Sequence, residues 1–171
     1  MLLACAVGCG SDPVVDEEPI VHEDAGSPPV KGTCDGVEAR LGTGAREYQE
    51  VNEGTTVYLF RGPQGGYMLM LSIQAKGMDR DLVTVDYTEH RVDTGQLMGT
   101  GQWRVMLPND LGNGWYERVG IWGEIEPEFW TRPTLVRGHR MTVRVKLTDG
   151  KGCMVDGLTW TADIDPDPPP N

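Results

Sequence analysis

Residues Met141–Ile164 read MTVRVKLTDGKGCMVDGLTWTADI. The first eight residues alternate, with Met141, Val143, Val145 and Leu147 on one side and Thr142, Arg144, Lys146 and Thr148 on the other. A period of two with an apolar face is the pattern of a half-buried β-strand. Asp149-Gly150-Lys151-Gly152 supplies the turn chemistry that ends it. Cys153–Ile164 then runs back as a second extended segment, so the stretch predicts a hairpin.

Upstream, similar runs recur between turn signals: Val37–Leu41, Thr55–Arg61, Leu82–Val92, Gln102–Leu107 and Trp115–Ile125. Tyr67–Ala75 (YMLMLSIQA) is mostly apolar on both sides of its pleat, as a central strand would be. With 23 glycines and 12 prolines in 171 residues, no window sustains a helical i, i+3, i+4 apolar stripe. The expected fold is all-β, an immunoglobulin-like β-sandwich of seven to eight antiparallel strands over 32–164, with a small β-barrel as the alternative. The inter-sheet disulfide and partner tryptophan of antibody domains are missing.

The net charge of −11 belongs mainly to the ends. Asp12, Asp16, Glu17, Glu18, Glu23 and Asp24 crowd the front, Asp163, Asp165 and Asp167 the back, and the body is close to neutral. No basic stripe exists, which argues against nucleic acid as a partner. Residues 10–31 are acidic, proline-broken and poor in aromatics, so they are expected to form a disordered tether; 165–171 read as a similar tail.

Ala6-Val7-Gly8-Cys9 resembles the lipobox of bacterial lipoproteins, with residues 1–9 as the remnant of a signal. The resemblance implies acylation of Cys9, a lipid anchor in the outer membrane, and a periplasmic or surface-facing body. No basic n-region precedes the short apolar run, which places the expected start of translation upstream of Met1. If Cys5 leaves with the signal and Cys9 carries lipid, Cys34 and Cys153 remain to pair in an oxidising compartment.

Arg61–Leu71 reads RGPQGGYMLML. A phosphate cradle needs a helix after the glycines, and strand formers follow instead, so a tight hairpin turn is expected. Met68 and Met70 share a strand face and are the candidate soft ligands for Cu(I), although thioethers filling gaps between sheets are the preferred reading. No metal or other cofactor is therefore expected. GPQGG followed by an aromatic residue and a long apolar strand, together with Leu41-Gly42-Thr43-Gly44, resembles uncharacterised outer-membrane or periplasmic lipoproteins of the myxobacterial type. That resemblance implies envelope residence and brings no known activity with it.

Catalytic parts are sparse. Ser72 sits mid-strand, His90 and His139 are the histidines of the body, and Asp93-Thr94-Gly95 lacks the flanks of an aspartic protease. The chain is expected to be a non-enzyme, a binding or structural module that meets an envelope protein or a glycan. Phe129 and Trp130, in the proline-bounded segment EIEPEFWTRP, are the candidate ligand-binding aromatics; Trp103 and Trp160 are expected in the core.

Overall fold

A computed structural model describes residues 28–169. Two sheets face each other across one apolar core. The first runs β1 (Val30–Lys31), β2 (Glu38–Thr43), β5 (Tyr67–Lys76), β9 (Trp115–Glu124) and β8 (Asn109–Gly112), with β4 (Phe60–Arg61) also on β5. The second runs β3 (Thr56–Val57), β11 (Met154–Ile164), β10 (Arg140–Asp149), β6 (Val83–Arg91) and β7 (Leu97–Val105). Of the seven long strands, the first, second and fifth (β2, β5, β9) lie in one sheet and the third, fourth, sixth and seventh (β6, β7, β10, β11) in the other, an immunoglobulin-like sandwich and not a closed barrel.

The hairpin is present as read. Met141, Val143, Val145 and Leu147 point into the core, and β10 pairs with β11 antiparallel from Arg140↔Asp163 to Thr148↔Met154. Burying each such aliphatic side chain is worth roughly 1.5–3 kcal/mol. On the central strand β5, Leu69, Leu71 and Ile73 are fully buried, and the expectation of cover on both faces holds for Met68 and Ser72 as well.

Three local features differ from expectation. Thr55–Arg61 is two strands, because the chain changes sheet: Thr56–Val57 pairs parallel with Asp163–Ile164, while Phe60–Arg61 pairs with Tyr67–Met68. The run expected from Gln102 begins at Leu97 as β7, passing through Gly99 and Gly101 with a bulge beside Glu89. Strand pairing also begins at Val30, inside the stretch assigned to the tether.

Cys34 and Cys153 are joined, with Cα atoms 5.5 Å apart. Cys34 lies in the loop after β1, and the Thr33 N–H bonds to the Met154 carbonyl at 2.7 Å. Asp149 fixes the other partner: its carboxylate accepts the Asp79, Lys151 and Cys153 N–H groups at 2.8–2.9 Å. Burial alone would push this carboxyl up, but the three donors and Lys151 hold it below the usual range.

Candidate functional site

The GPQGG segment is a tight turn. The Gly62 N–H bonds to the Gly66 carbonyl at 2.8 Å and the Gly65 N–H to the Gly62 carbonyl at 3.0 Å, with Gly65 at φ +86°. The two outer glycines answer a second demand. A Cβ on Gly62 would strike the Met68 methyl, and one on Gly66 would lie 2.7 Å from the Trp130 indole. The turn is therefore a backbone surface on which two side chains rest.

Trp130 reaches it from the connection between β9 and β10. Pro127 and Pro133 each open a short 3-10 turn, Pro127–Phe129 and Pro133–Leu135, where proline's fixed φ suits the first position. Phe129 turns inward and is buried at 3% exposure, so it plugs the core and is not a ligand contact. Trp130 turns sideways, half-buried, its Nε1–H donating to the Ile125 carbonyl at 2.8 Å.

Two further tryptophans complete the concavity. On β9, Ile121, Gly123 and Ile125 face the core, which puts Trp122 and Glu124 outside, with Trp122 41% exposed. Trp103 on β7 is half-buried rather than a core residue, because its indole lies over the free edge of β9 and donates to the Trp122 carbonyl at 2.6 Å. The two rings meet edge to face, 6.2 Å between centroids and 85° between planes. Trp103, Trp122 and Trp130, with Met68, Glu124 and the GPQGG turn, line a cleft of about 300 Å³. This is the small end of the range for ligand pockets.

Behind the cleft, the edge of β9 is stitched to the opposite sheet. The Glu124 N–H donates to the Tyr87 hydroxyl at 2.9 Å, Gly99 bridges Ile125, and the Glu126 N–H bonds to the Met98 carbonyl at 2.8 Å. Burial pushes the Tyr87 phenol up to about 12, against the lowering effect of its Glu124 hydrogen bond. Between these stitches lies Glu89, fully buried, with neither carboxyl oxygen hydrogen-bonded. A Cβ on Gly99 or Gly123 would strike that carboxyl, so the paired glycines form its slot. Burial alone pushes it up to about 8, and it carries its proton at neutral pH.

Of the residues expected to matter, Met68 is buried against the turn and lines the cleft, while Met70 sits in register with Trp122. Among the described residues, no group of three or more His, Cys, Asp or Glu side chains comes together. Asp93 is engaged by the Arg91 guanidinium, with Nε 3.0 Å from Oδ1, and that hydrogen bond holds its carboxyl below the usual range. The Ser72 hydroxyl is buried and donates to the Gly44 carbonyl at 3.0 Å. Cys9 lies outside the described residues. Trp103, Trp122 and Glu124 were not singled out by motif, although the alternation Ile121-Trp122-Gly123-Glu124-Ile125 carries the signal that puts Trp122 outside.

No protein-family model and no curated protein sequence matches the chain. Among solved structures, the CooA pilin subunit from enterotoxigenic Escherichia coli is similar at 14% identity and a TM-score of 0.35, covering 75% of this chain and 99% of that one.

Proposed function

We propose that this protein is a non-catalytic binding module of the cell envelope, anchored through lipid on Cys9, which takes a small ligand in the tryptophan cleft. The observation that carries the reading is the convergence of Trp103, Trp122 and Trp130 on one concavity from three separate parts of the chain. Exposed indoles around a cavity cost solvation unless something covers them. The cleft is also preformed. Two of its indoles are fixed by hydrogen bonds to backbone carbonyls, so little side-chain entropy is lost on binding.

What surrounds the rings supports a non-catalytic role. Glu124 is the carboxylate of the lining, and the body's serine and Asp93 are engaged elsewhere. General acid–base or nucleophilic chemistry needs a second group within hydrogen-bond reach of the first. The disulfide supports an oxidising compartment, as the lipobox resemblance implies.

The test is intrinsic fluorescence of the full chain titrated with soluble glycans, short peptides and small amphiphiles. A saturable change that is lost in Trp130→Ala and Trp122→Ala is expected for at least one ligand class. A response that survives both substitutions would remove the cleft from the account. Globomycin-sensitive processing and acyl labelling at Cys9 test the anchor.

A further inference from the structure

Resting on the reading of the cleft as a binding site, we propose that its ligand is a free quaternary ammonium solute of the choline type, held by cation–π contact with the tryptophans and by the Glu124 carboxylate. The first argument is charge. Glu124 lines the cleft, and among the described residues no lysine, arginine or histidine does. The lining itself offers an anionic ligand no positive charge.

The second argument is what the walls can offer. The Trp103 and Trp130 indole N–H groups are spent on the Trp122 and Ile125 carbonyls. What remains is ring surface, the Tyr67 phenol, the Met68 thioether, Glu124 and the Gln64 amide. A sugar needs many of its hydroxyls paired and would find few partners. A methylated ammonium needs none: its charge is spread over apolar methyl groups that rest on ring faces. Trp103 and Trp122, perpendicular at 6.2 Å, form two walls of such a corner.

The third argument comes from how the aromatic faces are covered, Tyr67 at the margin of the cleft included. Arg40 lies over Trp115 at 5.0 Å, Arg80 over Tyr116 at 4.8 Å and Arg137 over Tyr67 at 5.5 Å. Three aromatic faces are thus covered by the protein's own cations. Among the described residues, the three tryptophans of the cleft carry no such cover, and they are the ones grouped with an exposed carboxylate.

The experiment titrates the full chain with choline chloride and with 3,3-dimethylbutan-1-ol, its uncharged carbon isostere, following tryptophan fluorescence and heat. Choline should bind saturably, and the isostere about tenfold more weakly or worse. Trp122→Ala should cost choline at least about tenfold, Trp122→Phe should retain most of the affinity, and Glu124→Gln should weaken choline several-fold while leaving the isostere unchanged. The phenylalanine variant separates loss of the ring from loss of the fold. Equal binding of choline and isostere would overturn the proposal, as would binding to phosphatidylcholine vesicles without binding to free choline. If a neutral disaccharide or the isostere titrates through Trp122 and choline does not, the ligand class falls and the binding module stands. If none of them perturbs the tryptophans, both fall.

Discussion

The two outer faces of the sandwich are made by the same alternation and have opposite surfaces. On the sheet of β6, β7, β10 and β11, the outward positions are threonines and mixed charges. Thr142 and Thr161 share a hydroxyl hydrogen bond of 2.8 Å, the Gln102 amide donates to Asp86 at 2.6 Å, and Arg144 and Lys146 stand among Asp86 and Asp156. Each polar group there finds a neighbour or water, and the face has little to gain from being covered. On the other sheet, Met68, Met70, Trp122 and Glu124 occupy the equivalent outward positions, with Trp103 and Trp130 brought in from outside it. The difference teaches where the proposed binding would sit: the polar face satisfies its own groups, and the aromatic one leaves apolar ring surface uncovered.

The largest expected effect removes what the two faces share. The disulfide closes a loop of 119 residues between the approach to one sheet and the last strand of the other. Cys34→Ser with Cys153→Ser should cost about 4–5 kcal/mol in urea unfolding, and both faces should be lost together. A protein that keeps its midpoint after reduction would show that the sheets hold each other without it.

Next comes a pH effect confined to the seam under the aromatic face. Glu89 keeps its proton in the folded protein up to about 8, against an ordinary value of 4.5. The folded state thus binds the proton that the unfolded chain releases. Stability from this group is fully present below about 4.5, falls as pH rises towards 8, and is level beyond. The fall is on the order of a few kcal/mol. Urea midpoints at pH 5, 7 and 8 measure it. Glu89→Gln should flatten the slope, and a slope that persists in the variant would assign it to another group.

The smallest effect sharpens the contrast between the faces. Gly66→Ala pushes a methyl group into the Trp130 indole and should cost about 1–2 kcal/mol while weakening any Trp130-dependent binding. Arg144→Ala, on the polar face, should change stability by less than about 0.5 kcal/mol and binding not at all. Equal loss of binding in both variants would end the distinction.

How far the sequence reached depends on what periodicity can see. β10 was legible because Met141, Val143, Val145 and Leu147 alternate without a break, and the central β5 because its run is almost wholly apolar. β8, Asn109–Gly112, reads as turn composition, since asparagine, aspartate and glycine are strand-poor residues that only pairing with β9 makes extended. The start of β7 was hidden by Gly99 and Gly101, which look like breakers; Gly99 is needed because a carboxyl occupies the space of a side chain. Within the candidate site, Phe129-Trp130 was rightly noticed as a pair, but adjacent residues of a 3-10 turn point apart, and one went to the core. Trp103 was misplaced for the opposite reason: alternation assigns it to the inner face and cannot know that its indole lies over the free edge of β9, bonded to the Trp122 carbonyl. The cleft joins residues far apart in sequence, and no local motif records such a meeting.

The short β1 and the cystine just after it give the domain a mechanical property. A pull transmitted along the chain from its amino-terminal side meets β1, two residues long and easily peeled. Within three residues it reaches Cys34 and passes through a covalent bond into the start of β11, which is hydrogen-bonded along its length to β10. The strain is thus shared between β2 and the β10–β11 hairpin. Tension entering from that side is carried by a covalent bond into the sheet opposite Met68 and Trp122 before it can peel β2 alone.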